Sequence, residues 1–383
     1  MTRQHSKESV GEMALALHKK KRGKLRTAVT TPLTKESIAL IYTPGVGAVS
    51  SFLATMPNKT NEYTWRGRTV AVVSDGSAVL GLGNIGPEGA LPVMEGKAVL
   101  FKQLADIDAV PIVLATQNTD EIVAAVKAIA PSFAGINLED ISAPRCFDVE
   151  RRLKDELTIP VMHDDQHGTA IVVLAGLINA HKVVKKNMAV SRVAVIGAGA
   201  AGTAIARLLV RYGVGDVVVV DSVGIISYVR GNLTSEKIAL AEITNRERRT
   251  GGVLEAVAGA DVVVGVSGPG TIIPEYVRIM AQRPIVFALA NPLPEIMPSE
   301  ACMAGAAVVA TGRSDFPNQV NNALVFPGVF KGALENNVRR ITDDVKVRVA
   351  EKLASLIAHP TPKKILPTLF DRRVVRAVAS AVR

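Results

Sequence analysis

The sequence predicts an α/β protein built around parallel sheets, and three observations lead to this prediction. Short runs of β-branched residues alternate with stretches of helical periodicity along nearly the whole chain. At 383 residues the chain exceeds the usual size of one hydrophobic core, which favours two domains. Its hydrophobic content of 48% and charged content of 21% are typical of a folded globular chain, not a disordered one.

The first half of the chain contains three predicted strands, each a short run rich in apolar residues: "TVAVVS" (69–74), "VPIVLA" (110–115) and "AGINLE" (134–139). Between them, residues 91–105 and 119–130 carry apolar side chains at helical spacing. Because parallel strands need long crossover connections, this alternation predicts a parallel sheet flanked by helices.

A boundary between two domains is expected near residues 160–170. Pro160 precedes an acidic pair there, and a helix is expected to begin near Gly168. We therefore divide the chain into a first α/β domain, 1–162, and a second domain, 163–383.

The second half contains five further predicted strands, separated by helix-like stretches: "RVAVIG" (192–197), "DVVVVD" (216–221), "DVVVGVS" (261–267), "PIVFALA" (284–290) and "AAVVA" (306–310). The segment from Val329 to Arg383 has a helical pattern, and we expect it to pack back on the first domain.

A glycine motif follows the first strand of this second series. In "VAVIGAGAAGTAIARLL" (193–209), Gly197 allows the tight turn, Gly199 lets backbone approach a pyrophosphate, and Gly202 allows close packing of the helix on the strand. The N–H groups of the helix start, at Ala200 and Ala201, are then free for phosphate oxygens. The pattern predicts a Rossmann-type, doubly wound parallel sheet that binds a dinucleotide.

Asp221 ends the next strand, at about the spacing expected for an acid that binds the adenosine ribose. A carboxylate there favours NAD over NADP, although Arg230 and Lys237 follow closely and leave NADP open. Ser267, in "VGVSGPG" (264–270), is expected over the same crevice, and a plain loop would have the same sequence.

Two acidic pairs stand beside predicted strands: Glu139 and Asp140 in "NLEDIS", and Asp164 and Asp165 in "HDDQHGT". Adjacent carboxylates repel one another, so a shared cation is one explanation, and carboxylates without thiols suit Mg²⁺ or Mn²⁺. Helix capping or plain surface positions are the alternative, and Asp165 is near enough to cap a helix that begins at Gly168. The flanking histidines leave a zinc site as a further alternative.

Several function classes are disfavoured by composition. Only two cysteines are present, without metal-ligand spacing, and we expect both to be small buried hydrophobes in a reducing compartment. The start of the chain has no signal-peptide pattern and no long membrane-spanning run was identified, so a cytoplasmic protein is expected. The net charge of +10 and the basic run 18–26 raise nucleic-acid binding, but no aromatic residue interrupts that run, and we expect neither nucleic acid nor membrane as a partner.

Taken together, several stretches resemble the malic enzyme family in its short bacterial and archaeal form. They occur in the family's order, from about residue 15 to 335: "YTPGVG" (42–47), "VSDGSAVLGLGNIGPEGALPVMEGKAVLF" (73–101), "INLEDISAPRCF" (136–147), "HDDQHGTA" (163–170), "FALANPLPEI" (287–296) and "ATGRSDFPNQVNNALVFPGV" (310–329). The resemblance implies oxidative decarboxylation of L-malate to pyruvate and CO₂, with NAD or NADP, a divalent metal, and a homodimer or higher homo-oligomer.

The resemblance also implies roles for individual residues. Lys97, in "MEGKA", corresponds to the general base, and Tyr42, in "YTPG", corresponds to the acid for the enolpyruvate step. The implied metal ligands are Glu139, Asp140 and Asp165. The implied substrate-binding residues are Asn291, Asn321, Asn322 and Asp164, and Asn291 is also expected to contact the cofactor. For Lys97 to accept a proton, we expect desolvation, the metal and the oxidised nicotinamide to favour its neutral amine.

Two positions depart from the family pattern. Ala78 stands where larger members carry an arginine, so the substrate carboxylate needs another partner, and Leu138 replaces a phenylalanine before the acidic pair. Three other functions remain open from the sequence. They are malate decarboxylation to lactate, a metal-independent amino-acid dehydrogenase, and a redox-sensing or nucleic-acid-binding module that uses the nucleotide fold.

Overall fold

The computed structural model describes residues 9–79 and 81–383. Residues 1–8 and Leu80 lie outside the described residues. All of them belong to the expected first domain, and Leu80 also belongs to one of the family blocks.

The described chain begins with an N-terminal arm, residues 9–68, in which no residue is buried. Its α-helices are α1 (Val10–Lys21), α2 (Ile38–Ile41), α3 (Gly45–Thr55) and α4 (Thr60–Tyr63). Helix α1 begins with a capping box, in which Ser9 and Glu12 each accept from the other's backbone N–H. Helix α2 packs against α3. Because its apolar side chains stay exposed, the arm adds nothing to the chain's own hydrophobic core.

The first sheet has four parallel strands in the spatial order β2-β1-β3-β4. They are β1 (Thr69–Ser74), β2 (Asp108–Val113), β3 (Gly135–Leu138) and β4 (Val161–His163). The connecting helices are α5 (Gly86–Ala105), α6 (Thr119–Ile129) and α7 (Arg145–Glu156). Val70 and Val72 share a core with α5, whereas Ala71 and Val73 share one with α6 and α7, as the alternation of strand side chains requires. The parallel sheet predicted from the sequence is confirmed.

Helix α8 (Asp164–Val184) follows β4 directly and lies in a core that includes residues of both sheets. The prediction that this helix begins near Gly168 is wrong: His163 is its N-cap, and Asp164 and Asp165 lie in its first turn. The helix dipole favours carboxylates at that end, which explains why the helix extends through them. Asp165 is therefore not an N-cap.

Two stretches of the described chain are long and apolar enough to cross a membrane by length and composition alone, Ile38–Thr55 and Asp164–Val184. The second is α8, 72% buried in the core, as is usual for a central helix of a globular protein. The first is divided between α2 and α3, with Tyr42 to Pro44 between them.

The second sheet has six strands in the order β10-β9-β8-β5-β6-β7, all parallel except for the antiparallel pair β6 and β7. They are β5 (Arg192–Ile196), β6 (Asp216–Asp221), β7 (Gly224–Ile225), β8 (Val262–Gly265), β9 (Ile285–Ala288) and β10 (Val308–Thr311). Its helices are α9 (Ala200–Tyr212), α10 (Ser235–Ile243), α11 (Val253–Val257), α12 (Pro274–Arg278) and α13 (Pro298–Met303).

Helices cover both faces of this second sheet. Val193 and Val195 belong to the core with α8 and α9, whereas Ala194 and Ile196 belong to the core with α11 to α13. Strand order reverses beside β5, which has β6 on one side and β8 on the other. In such sheets the crevice at this reversal is the usual ligand site. The doubly wound Rossmann-type sheet is confirmed.

Three C-terminal helices complete the chain: α14 (Phe326–Glu335), α15 (Asp343–Ser355) and α16 (Arg373–Ala381). The Phe101 ring of α5 lies 4.8 Å from the Phe326 ring and 5.5 Å from the Phe330 ring, edge-on in both cases. The C-terminal segment therefore packs back on the first sheet's helix, as expected.

Of the two cysteines, Cys146 is buried, whereas Cys302 is exposed, so the expectation of two buried thiols was wrong for Cys302.

Candidate active site

Lys97 projects from the buried face of α5 toward the carboxyl end of the first sheet. It is 9% exposed, its Nζ lies 2.8 Å from Oε1 of Glu139, and it also forms an ion pair with Asp164. Glu139 directly follows β3, and Asp164 opens α8 after the neighbouring strand β4. The ring of Phe326 covers the ammonium group at 4.4 Å from Nζ to the ring centroid.

Two further carboxylates, Asp140 and Asp165, join Glu139 at the same edge. Glu139, Asp140 and Asp165 each offer an oxygen, and these atoms lie within 4.8 Å of one another. Asp140 has a positive φ of 53°, and its backbone N–H donates to Oδ2 of Asp165 at 2.8 Å. Asn137 Nδ2 donates to Oε2 of Glu139 at 3.0 Å, which fixes that carboxylate. The left-handed backbone at Asp140 turns the chain so that consecutive acidic side chains face one point.

The charges in this cluster do not balance. Within the described chain, one ammonium, that of Lys97, shares this cluster with four carboxyl groups, those of Glu139, Asp140, Asp164 and Asp165. Burial raises the pKa of Glu139 well above its usual range, Lys97 opposes this, and the other carboxylates add to it. Burial lowers the pKa of Lys97, but attraction by Asp164 and Glu139 outweighs it, so the net change is upward. Lys97 is thus the charged partner, and the burial and mutual repulsion that raise the pKa of Glu139 are what a further cation beside these acids would offset.

Of the three effects expected to favour the neutral amine of Lys97, burial acts in that direction and lowers its pKa. The adjacent carboxylates raise the pKa by more, so the other two effects, the metal and the nicotinamide, would have to outweigh them.

Among the described residues, neither histidine of "HDDQHGT" belongs to the group of side chains that could hold a metal. His163 is fully buried, and His167 Nε2 donates to Oε2 of Glu150 at 2.8 Å. Among the described residues, the group able to hold a metal contains three carboxylates and no histidine or cysteine. This donor set suits a hard divalent cation and not zinc.

The loop after β1 lies against the acidic cluster, because the backbone N–H of Ala78 donates to the carbonyl of Asp140 at 3.0 Å. Arg145, which sequence reasoning missed, ties this loop to the start of α7. Its Nη2 donates to Asp75 at 2.8 Å and to Ser77 Oγ at 2.9 Å. A buried aspartate directly after a strand was the available sequence signal, but its partner lies 70 residues away.

The glycine motif takes the conformation that the sequence predicts. Gly197 has a φ of +116°, and an added Cβ there would lie 2.5 Å from the carbonyl of Val266. A Cβ on Gly202 would lie 1.8 Å from the carbonyl of Gly197, so the helix could not pack as closely on the strand. Gly199 is the N-cap of α9, and the space beside it is open. Ala200 and Ala201 form the first turn of that helix.

Asp221, at the end of β6, is held by two cations. Arg230 donates to both of its oxygens, at 2.9 and 3.1 Å, and Lys237 Nζ donates to Oδ2 at 2.6 Å. Partial burial raises the pKa of Asp221, but hydrogen bonds from Arg230 and Lys237 lower it by more, so the net pKa is well below the usual range. The two cations that the sequence left open as a complication therefore contact the expected ribose-binding acid directly.

Two loops over the crevice are joined by Glu295, a second residue that sequence reasoning missed. Its buried carboxylate accepts from the backbone N–H of Ser267 at 2.9 Å and of Ala290 at 3.0 Å. Ser267 is thus placed just beyond the end of β8, beside the glycine turn. Only the tertiary fold shows this link, because nothing in the local sequence marks Glu295 as a partner of a loop 28 residues earlier.

The asparagines lie where the two sheets meet. A Cβ on Gly81, in the loop after β1, would lie 2.3 Å from the carbonyl of Asn291, in the loop after β9. Asn322 lies against the first turns of α8, because a Cβ added to Gly168 would lie 3.1 Å from the Cβ of Asn322. The Asn321 side chain accepts from the N–H of Ala323 at 2.8 Å and caps a short 3₁₀ turn.

Tyr42 lies apart from these residues. It is the C-cap of α2 in the N-terminal arm, and it is 68% exposed. Within the described part of the chain, no hydrogen bond joins its side chain to Lys97 or to the carboxylates. The fold of one chain therefore gathers the proposed base and acids but not the proposed tyrosine.

A dinucleotide crevice beside a buried lysine and a carboxylate cluster defines an α/β oxidoreductase. Comparison with known proteins agrees with this class. Residues 19–154 match the family model "Malic enzyme, N-terminal domain", and residues 166–383 match "Malic enzyme, NAD binding domain". The chain belongs to the malic enzyme family.

The names of its relatives differ in the cofactor and in the activity that they give. The chain is 51% identical to the bifunctional malic/malolactic enzyme of Bacillus subtilis, over 98% of this chain and 92% of that one. It is 44% identical to an NADP-dependent malic enzyme of Halomonas elongata, over 94% and 89% of the two chains. The crystal structure of an NAD-dependent malic enzyme from Thermotoga maritima superposes with a TM-score of 0.94 at 50% identity, covering 96% of this chain and 98% of that one.

Proposed function

We propose that this chain catalyses the oxidative decarboxylation of L-malate to pyruvate and CO₂, with reduction of NAD⁺ or NADP⁺, and that it requires a divalent metal. The observation that carries this proposal is the buried cluster of Lys97 with Glu139, Asp140 and Asp165, beside the dinucleotide crevice. Membership of the malic enzyme family supports it.

Glu139, Asp140 and Asp165 would hold the metal, Mg²⁺ or Mn²⁺. Their spacing and surplus negative charge fit such an ion, because carboxylate oxygens are its preferred ligands. A bound divalent ion polarises the hydroxyl and carboxylate oxygens of a substrate and stabilises negative charge that develops on them.

Lys97 is the proposed general base for the C2 hydroxyl of malate. Its Nζ lies at the cluster's edge, within contact of Glu139, and Asp164 fixes its position through the buried ion pair. A cation held by Glu139, Asp140 and Asp165 would offset the attraction of these carboxylates for the ammonium form of Lys97, and so would lower the cost of the neutral amine that accepts the proton. Asn291 and Asn322 would orient the substrate from the loops that face the cluster, with Asn321 beside them.

Tyr42 is the proposed acid that protonates the enolpyruvate carbon, and we propose that a second copy of the chain supplies it. The arm that carries Tyr42 has no buried residue and exposes apolar side chains such as Leu40 (75%) and Val29 (88%). An apolar surface of this kind needs a covering partner, and a homodimer in which each arm covers the other subunit also completes each site.

Mixing two inactive variants tests this arrangement. In a homodimer with exchanged arms, Tyr42→Phe and Lys97→Met subunits form hybrids in which one site has both wild-type residues. Co-refolding should restore about a quarter of wild-type activity, because half of the dimers are hybrid and one site in each is complete. No recovery in confirmed hybrids would show that Tyr42 acts within its own chain.

We propose NAD as the preferred cofactor. The Asp221 carboxylate, at the end of β6, would accept from a ribose hydroxyl and repel a 2′-phosphate. Gly197, Gly199 and Gly202, with the N–H groups of Ala200 and Ala201, would bind the pyrophosphate, and Ser267 and Asn291 would contact the nucleotide from the facing loops.

The direct test is an assay of the purified chain with L-malate, Mn²⁺ and either cofactor, before and after chelation. Reduced cofactor and pyruvate should form together, disappear with chelator and return when Mn²⁺ is restored. Full turnover after thorough metal removal would contradict the proposal.

A second candidate function is decarboxylation of malate to lactate with the cofactor retained. The named activities of the Bacillus subtilis relative favour it, since that protein is both malic and malolactic. Lactate without net cofactor reduction would identify this activity, and pyruvate with stoichiometric reduced cofactor would exclude it under the same conditions. We also propose that the two domains divide between residues 162 and 163 and that the protein is cytoplasmic.

A further inference from the structure

The first turn of α8 carries two carboxylates of the proposed site, and both are engaged there. Asp164 pairs with Lys97, and Asp165 accepts from the backbone N–H of Asp140 at 2.8 Å. Within the described part of the chain, the side chain of the N-cap residue, His163, forms no capping hydrogen bond to the helix. A helix start of this kind needs its anchor from elsewhere in the fold.

Glu150, on α7, supplies that anchor. Its Oε1 accepts from the backbone N–H of His163 at 2.8 Å, and its Oε2 accepts from Nε2 of His167 at 2.8 Å. The bond to the N-cap N–H is the one that the third helical residue makes in a capping box. Because residues four apart lie on the same side of a helix, one carboxylate reaches both flanks of the acidic pair.

Glu150 is itself held in place. It is 5% exposed, and Lys154 Nζ lies 2.7 Å from its Oε1. Its neighbour Val149 and the next turn's Leu153 are fully buried in the core of the first sheet, which fixes α7. Burial raises the pKa of Glu150, but interactions with His167 and Lys154 lower it by more, so the net pKa is well below the usual range. The group is therefore a carboxylate, which can accept both hydrogen bonds at once.

Two attachments one turn apart fix the position of this turn along the helix axis and its rotation about that axis. Asp165, one of the three carboxylates that could hold a metal, lies between them. A side-chain oxygen about 6 Å from the axis moves by about 1 Å when the helix rotates by about 10°. Mg²⁺ requires near-ideal octahedral geometry, so a displacement of that size weakens its binding.

We propose that Glu150 is a positioning residue for the metal. It sets the affinity for the divalent ion by holding Asp165 through the first turn of α8, and it is not itself among the group of ligand side chains. This inference rests on the proposed function, because it requires that Asp165 bind the metal. Groups that orient metal ligands in this way typically change metal affinity about 10–100-fold when they are replaced.

Titration of the full chain with Mn²⁺, followed by electron paramagnetic resonance of the free ion, tests the proposal. Glu150→Ala loses both hydrogen bonds to α8, and its affinity for Mn²⁺ should fall about 10–100-fold. Glu150→Gln loses the same charge but keeps one acceptor oxygen, so its affinity should lie between those of Glu150→Ala and the wild type. NADH binding, measured by fluorescence, should stay unchanged in both variants, which shows that the second domain is intact.

Glu156→Gln is the matched control. Glu156 is a further glutamate of α7, and its ion-pair partner is Lys127 on α6. This variant should bind Mn²⁺ as the wild type does. Equal losses of affinity in Glu150→Ala and Glu150→Gln would overturn the proposal, because charge and not hydrogen bonding would then be the cause. Wild-type affinity in Glu150→Ala would overturn it as well.

A double-mutant cycle with Asp165→Asn separates positioning from a general loss of structure. Once Asp165 no longer binds the ion, Glu150→Ala should lower the affinity for Mn²⁺ by less than about threefold further, because the ligand that it positions is gone. A full additional loss would overturn the proposal. Glu150→Gln, which preserves the shape of the side chain, completes the same cycle if Glu150→Ala does not fold.

The same titrations distinguish failure of this inference from failure of the proposed function. If the wild type bound no Mn²⁺, or if Asp165→Asn bound it equally well, the proposed metal site would be wrong and this inference with it. If Asp165→Asn weakens binding and the Glu150 variants do not, only the role of Glu150 is overturned.

Discussion

The ammonium group of Lys97 lies 2.8 Å from the carboxylate of Glu139, although the two residues belong to different elements of the first sheet's layer. Lys97 lies on the buried face of α5, and Glu139 follows the central strand β3. This pair places the candidate base at the edge of a cluster with more carboxyl groups than one lysine ammonium can neutralise. The proposed chemistry depends on this relationship.

Replacing the lysine by an uncharged side chain of similar length should remove proton transfer. In Lys97→Met we expect kcat to fall about 10²–10⁴-fold, the usual contribution of a positioned base. Binding of NADH, measured by fluorescence, should change little, because Lys97 is not in the dinucleotide crevice. Lys102→Met, on the same helix with an exposed ammonium, is the control and should keep its activity. A Lys97→Met enzyme with near-normal kcat would show that another group is the base.

Removing one carboxylate charge should weaken metal binding. In Asp165→Asn we expect the affinity for Mn²⁺, measured by electron paramagnetic resonance of the free ion, to fall at least about tenfold. Asp155→Asn, an exposed position on α7, should bind Mn²⁺ as the wild type does. Unchanged affinity in Asp165→Asn would place the metal elsewhere.

The three charges at the end of β6 should set cofactor preference. In Asp221→Ser, Arg230 and Lys237 lose their carboxylate partner and become available to a 2′-phosphate. The ratio of kcat/KM for NADP⁺ to that for NAD⁺ should therefore rise about tenfold or more. Asp216→Asn, at the opposite end of the same strand, is the control. If the kcat/KM ratio is unchanged in Asp221→Ser, this carboxylate does not determine which cofactor is preferred.

His181 should make folding stability depend on pH. Burial lowers the pKa of His181 from 6.5, and the neutral ring bonds to the Leu177 carbonyl and to Ser191 Oγ. The unfolded chain therefore binds more protons below about pH 6.5, and stability falls as the pH decreases from there. Urea unfolding at pH 7 and pH 5 should show a smaller loss in His181→Gln than in wild type.

His359 is exposed, so His359→Gln should keep the wild-type difference between these two pH values. An identical loss in His181→Gln and wild type would assign the pH dependence to other groups.

Several elements followed from local pattern because their physical cause is local. The strands β1, β5 and β6 are runs of β-branched residues that fill buried positions on both faces of a sheet, and periodicity identifies them within a residue. The turn at Gly197 was predictable because its backbone needs a positive φ that glycine adopts easily.

Other elements escaped the sequence analysis. Strands β4 and β7 have three and two residues, which is too short for a pattern to show. The start of α8 was placed four residues late, because Asp164 and Asp165 resembled residues before a helix and not within its first turn. Arg145 and Glu295 were missed because their partners lie far away in the chain.

The amino-acid sequence by itself determined the two sheets of mainly parallel strands, the dinucleotide turn and the two acidic pairs beside strands, because each depends on side-chain type and short spacing. Only the tertiary structure decided that Lys97 stays an ammonium beside Glu139, that Asp221 is bound by Arg230 and Lys237, and that Tyr42 lies outside its own chain's cluster. The reason is that charge, burial and distance between residues far apart in sequence exist only once the chain has folded.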